Sequence, residues 1–186
     1  MRRRCTVGLL LLLVLATTST TAQQCREGAV TETPPGRFAA LSDGSLLDRL
    51  HGLHWQRCSA GQHWTGEGCS GSPRRLSLGE ARQRAPAGWR LPSLQELSSL
   101  AELACFAPAI DLRWFPDTPA DAYWTATAFA GDPARVRFWQ VNFIYGEVQP
   151  ATAISPAFVR WVRGGLSVRG WRGNESPASA PWSDRD

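Results

Sequence analysis

Six side chains in one stretch of the sequence have the chemistry of a saccharide site. Tyr123, Trp124 and Trp139 carry flat aromatic faces that can stack on a sugar ring, and Arg135, Arg137 and Asn142 carry donors for hydroxyl or sulfate oxygens. The competing use of such tryptophans is core filling, and for Trp124 and Trp139 it is the commoner one. Metal chemistry is less well supplied. Asp111, Asp117, Asp121 and Asp132 lie in the same loop-rich region, but calcium takes about 6–8 oxygen ligands. The run Phe115-Pro116-Asp117 brings a single carboxylate, and solvation at the surface accounts for the aspartates more simply. The histidines are His51, His54 and His63, and no Ser-His-Asp or Cys-His pattern can be argued from their positions. The expectation is a binding protein rather than an enzyme, with no cofactor and no metal.

The start of the chain sets the compartment in which such a site would work. Three arginines, Arg2 to Arg4, precede an apolar run from Val7 to Ala16, and small polar residues end at Thr20-Thr21-Ala22. That is the plan of a secretory signal peptide over residues 1–22. The run is shorter than the roughly 20 apolar residues a spanning helix needs, so no membrane insertion is expected after cleavage. Losing those arginines takes the basic count from 20 to 17 against 16 acidic residues. The basic balance of the whole chain therefore owes much to the signal, and a nucleic-acid partner is not expected.

Of five cysteines, Cys5 leaves with the signal. Four remain, an even number that reads as a disulfide framework in an exported protein. Cys58 and Cys69 close a short Gly- and Ser-rich loop and are paired with each other, which leaves Cys25 with Cys105, tying the N-terminal segment to the end of a helix. Zinc binding by the four thiolates is disfavoured because no CxxC spacing is present.

The elements that must position these residues are mostly marked by local signals. Asp43-Gly44 predicts a hairpin turn, and Arg49 to Leu53 a second reversal into a strand over 53–57. The segment between Cys58 and Cys69 reads as loop. Ser77-Leu78-Gly79-Glu80 and Ser93-Leu94-Gln95-Glu96 are both Ser-x-x-Glu, the signature of a helix start. In the second helix Leu94, Leu97, Leu100, Ala101 and Ala104 recur on one face. Gly88 ends the first helical region, Trp89 and Leu91 pin the corner to the core, and Pro92-Ser93 launch the next helix. Strands are expected over 122–128, 138–143 and 158–163. In the last, Phe158, Arg160 and Val162 face one way and Val159, Trp161 and Arg163 the other. Residues 166–186 read as a flexible tail containing Trp171, Trp182 and an Asn174-Glu175-Ser176 sequon, so residues 23–165 form the single domain.

The order of motifs adds a resemblance. RF…DG…D…GL.W from Arg37 to Trp55 is followed by RC…G..W.G..C.G from Arg57 to Gly71 and WRLPS.QEL from Trp89 to Leu97. C..PAID…FP.TP begins at Cys105, YW..T at Tyr123, FW.V.F..G at Phe138 and FVR.VRGG at Phe158. In that order they resemble the Lcl C-terminal domain family, named for part of a bacterial collagen-like adhesin, over roughly residues 25–165. His54 and Trp161 depart from the residues common there. The resemblance implies an α+β, C-type-lectin-like fold: two helices packed on a small twisted antiparallel sheet, first and last strands paired, stapled by disulfides. It also implies adhesion, with a glycan or other extracellular polymer as partner, outside the cytoplasm in the periplasm, at the cell surface or secreted. An envelope assembly subunit with a protein partner is the alternative. A formylglycine-generating-enzyme-like oxidase is the weaker one, since it would need a redox cysteine pair.

Overall fold

The structure, a computed structural model, describes residues 22–131 and 136–164. The expected signal segment up to Thr21, the residues Asp132 and Arg135, and the expected tail with Trp171, Trp182 and Asn174 lie outside the described residues.

The chain opens with β1 (Gln24–Cys25), β2 (Phe38–Ala40), β3 (Leu46–Asp48) and β4 (Leu53–Trp55). β5 (His63–Trp64), β6 (Cys69–Ser70), α1 (Leu78–Gln83), α2 (Leu94–Ser98) and β7 (Cys105–Phe106) follow. β8 (Ala122–Phe129), β9 (Arg137–Asn142), β10 (Glu147–Thr152) and β11 (Val162–Gly164) complete the described elements. Strands pair in the orders β11-β4-β3-β2 and β10-β9-β8, with ribbons β1-β7 and β5-β6. The result is a small α+β domain, mostly sheet, with two short helices and two disulfides.

Local chemistry explains the hairpin and both helix starts. Gly44 takes φ +80° in the β2–β3 turn, a conformation a side chain resists. Asp43 Oδ1 accepts from the Ser45 N–H at 3.0 Å and the Ser45 hydroxyl at 2.6 Å, closing the same turn. Ser77 and Ser93 each accept from the N–H three residues on, and Glu80 and Glu96 each accept from the serine N–H. Such caps stabilise a helix by about 1 kcal/mol each.

Tertiary demands override the sequence pattern in four places. The apolar period of the second helix runs on to Ala104, yet α2 stops at Ser98. The Leu100 and Ala101 N–H groups bond Leu97 O at 3.1 Å and Ser98 O at 3.0 Å, three residues back rather than four, and the Glu102 N–H leaves the turn altogether for Ala109 O at 3.1 Å. The Glu102 carboxylate is meanwhile fixed by the N–H groups of Glu32, Thr33 and Ala104. Leu97, Leu100, Ala101 and Ala104 are buried all the same. Cys105 consequently lies in β7, directly opposite Cys25 in β1, and not at a helix end.

The loop expected between Cys58 and Cys69 contains the β5–β6 ribbon, because Thr65 and Gly68 exchange bonds across a tight turn. The strand expected over 158–163 becomes regular only at Val162, as β11, and the segment leading into it has no solvent face: residues 157–162 are all buried. Phe158 and Val162 join one core with Trp55, Tyr123 and Phe143, while Ala157, Val159 and Trp161 join another with Leu78, Leu91 and Trp124. Finally, the first and last strands do not pair. β11 pairs with β4 beside the opening hairpin, and β1 pairs with β7.

The Trp-Arg-Leu-Pro corner is the joint between these parts. Arg90 exchanges two backbone bonds with Val162, each 2.9 Å, and its guanidinium bonds both Glu96 oxygens at 2.7 Å. Ala126 donates to Pro92 O at 2.7 Å, and Leu94 donates to Thr127 Oγ1 at 2.9 Å. One corner thus locks α2 to β8 and β11.

Candidate functional site

The five described residues of the six singled out by type are not gathered into one site. Tyr123 and Trp124 are 0 % exposed. The Tyr123 hydroxyl is bonded to Ser59 Oγ at 2.6 Å, and Trp124 Nε1 donates to Leu76 O at 2.8 Å. Neither ring has a face to offer a ligand; both are core. Trp139 and Arg137 are half-buried with Phe129: the Trp139 ring meets it edge-on at 5.0 Å, and the Arg137 guanidinium lies 4.5 Å above it. Asn142 sits at the other end of β9, opposite Ala122, where its Oδ1 accepts from the Ile144 N–H at 2.9 Å. Arg135 lies outside the described residues.

A different set of residues converges on an open cleft of about 320 Å³. Its lining includes Asp43 from the β2–β3 turn, Arg57 beyond β4, Trp64 from β5, Trp89 from the corner and Arg163 from β11. Trp64 is seated by the turn, since a Cβ on Gly44 would stand 2.8 Å from its Cδ1. The ribbon bearing Trp64 is closed by the Cys58–Cys69 disulfide and braced by Asp117, whose Oδ2 accepts from the Cys69 N–H at 3.0 Å.

Two guanidinium–indole pairs dominate the lining. The Arg57 guanidinium lies 4.0 Å over the Trp64 ring and 6.0 Å from Trp114, and that of Arg163 lies 4.6 Å over Trp89. Arg163 is also ion-paired with Asp43 at 2.5 Å. Arg57 makes no ion pair among the described residues, its buried Nε has no partner there, and desolvation lowers its pKa from the ordinary arginine value. Stacking holds each guanidinium flat while leaving its edge donors available. The chemistry of such an arrangement is that of stacking on flat polyol faces and of donating to oxyanions. Among the described residues no three His, Cys, Asp or Glu side chains group as a metal site.

Ser45, through its hydroxyl and its N–H, pulls the Asp43 carboxyl down to about 2; slight desolvation opposes this and Arg163 adds to it. A carboxylate with a depressed folded pKa contributes stability above its ordinary value of 3.8 and loses it as pH falls through about 2. Acid titration monitored at the Trp89 indole and the Arg163 guanidinium by NMR is therefore expected to show the pair releasing near pH 2. Release at the ordinary value of 3.8 would contradict the assignment.

Trp89 packs against the second core, as expected, and also lines the cleft, whereas Arg57, Trp64 and Arg163 are not among the expected site residues. One local signal was available. A tryptophan inside a short Gly- and Ser-rich loop closed by a disulfide has no apolar run around it, so it must find its partner elsewhere. The arginine just before Cys58 is that partner.

Fold and cleft together define a small disulfide-stapled α+β domain with an arginine–tryptophan cleft at its surface. The chain belongs to the Lcl C-terminal domain family, whose model matches residues 44–163. The matched stretch takes in Arg57, Trp64, Trp89 and Arg163. No curated protein and no solved structure matches the chain.

Proposed function

We propose that the chain is an exported, non-catalytic, adhesin-like module whose Arg57–Trp64 and Arg163–Trp89 cleft takes up a saccharide unit of a surface polysaccharide or other extracellular polymer. The observation that carries this reading is the pair of guanidinium–indole stacks lining one open cleft. Membership of a family named for part of an adhesin supports it. Two disulfides suit an oxidising compartment, and no helix among the described residues is long and apolar enough to cross a membrane. We read the architecture as a C-type-lectin-like relative in which loops over a rigid sheet carry the site.

The test uses the oxidised, exported protein with dextran sulfate, polygalacturonate and neutral dextran as probes. The expected result is binding to at least one of them. Arg57→Ala and Trp64→Ala should each weaken it about tenfold, the scale of a partly desolvated cation–π contact, and EDTA should leave it unchanged. Failure to bind any probe, or affinity indifferent to both substitutions, overturns the reading. A fixed co-purifying envelope protein in place of polymer binding would favour the assembly-subunit alternative.

A further inference from the structure

Behind the cleft wall lies a second arginine environment that the lining does not show. Arg160 is 0 % exposed. Its Nη1 donates to Gln56 O at 2.9 Å and also to Arg57 O, and its Nη2 donates to Thr118 Oγ1 at 2.7 Å. No carboxylate reaches it among the described residues, and its buried Nε has no partner there.

The backbone explains why those carbonyls need a side-chain donor. The Gln56 N–H still bonds Trp161 O at 3.1 Å, and bonding to the segment that leads into β11 resumes where Ala60 N–H bonds Val159 O at 2.8 Å. Between these points the chain bows out of the sheet to present Arg57 and the disulfide loop. Two carbonyls of that bow turn inward to Arg160. Neutral donors or water could satisfy them at far lower cost than a buried charge. The same chain pairs its other buried arginine, Arg37, with the carboxylate of Asp48. Arg160 has instead the ring faces of Phe115 at 4.8 Å and Tyr123 at 5.9 Å. Burial pushes the Tyr123 hydroxyl up, so Tyr123 stays neutral and supplies no countercharge.

We propose that Arg160 is the specificity-determining residue of this cleft: an uncompensated buried cation, bonded to the wall residues Gln56 and Arg57, that both sets the position of Arg57 and tilts the cleft toward anionic over neutral saccharide units. This rests on the cleft reading above. No carboxylate among the described residues pairs with Arg160 to cancel its field locally, and low-dielectric walls carry that field toward the cleft.

Dextran sulfate and neutral dextran are titrated onto wild type, Arg57→Ala, Arg160→Lys and Arg160→Gln at two salt concentrations. Arg160→Lys keeps the charge and should bind dextran sulfate nearly as wild type does. Arg160→Gln keeps donors but loses the charge; it should bind about tenfold more weakly with a shallower salt dependence, as expected for one lost, partly screened charge. Its affinity for neutral dextran should be unchanged, a selectivity that a purely structural role would not produce. Equal loss for both polymers, or no loss, overturns the inference while the Arg57→Ala result still supports the cleft. If wild type binds neither polymer, or Arg57→Ala binds as wild type does, the cleft reading itself fails. Should Arg160→Gln not fold, the wild type decides alone: the Arg160 Nε–H resonance must shift saturably with dextran sulfate. An Arg160 resonance that stays still while that of Arg57 moves overturns the inference.

Discussion

Replacing Asp48 by alanine is expected to lower the unfolding free energy by about 3–5 kcal/mol, the cost of stranding the other half of a buried ion pair. Asp48 is 0 % exposed and takes five hydrogen-bonding contacts. Arg37 donates from Nε at 3.2 Å and Nη2 at 2.8 Å, His51 Nδ1 lies 2.9 Å away, and the N–H groups of Leu50 and His51 donate to the same carboxylate. Arg37 also bonds Ser99 through both its carbonyl and its hydroxyl, so the pair clamps the hairpin to the end of α2. In the alanine variant the Arg37 guanidinium stays buried with no countercharge. The double substitution Arg37→Met with Asp48→Leu should recover much of the loss, because an apolar pair avoids desolvation altogether. The pH dependence has a definite sign. Burial raises the Asp48 pKa, but hydrogen bonds from Arg37 and His51 outweigh it and leave the net value lowered below 3.8. The contribution is therefore complete above that ordinary value and is lost as pH falls through the folded-state pKa. Urea melts at neutral and acid pH read both effects, and a single variant as stable as wild type would refute the clamp.

The two disulfides should separate stability from binding. Cys25–Cys105 spans 80 residues and Cys58–Cys69 spans 11. Chain-entropy arguments put their contributions at about 4.5 and about 2.8 kcal/mol. Serine replacement of Cys25 and Cys105 is expected to give the larger loss in urea melts. It should spare dextran sulfate affinity at concentrations where the protein stays folded, because neither cysteine lines the cleft. Serine replacement of Cys58 and Cys69 costs less stability but frees the ribbon that carries Trp64. Affinity should then fall at least as far as in Trp64→Ala. Retained affinity without the Cys58–Cys69 link would show that the ribbon does not need its staple to hold the site.

What could be read in advance divides by the distance over which the physics acts. The Ser77 and Ser93 caps, the Asp43-Gly44 turn and the closure of Cys58 on Cys69 depend on neighbours a few residues away, or on compartment, and all are visible in the one-dimensional pattern. The family was legible too, through the order of its motifs. Where α2 ends was not, because Leu100 and Ala101 tighten onto carbonyls three residues back and the Glu102 N–H then bonds Ala109, brought back by a later loop. Nor was the fate of the last strand. Alternation tells which residues share a face, but only packing tells whether that face meets water, and here both faces meet cores. The same limit hid the cleft. Asp43 and Arg163 touch across 120 positions of sequence, and Arg57, Trp64 and Trp89 join them only because β11 lies against β4 and the corner. By itself the sequence determined a disulfide-stapled domain of known family. Only the tertiary structure decided which aromatics are interior, which arginine is buried without an acid, and which residues from distant segments share one surface.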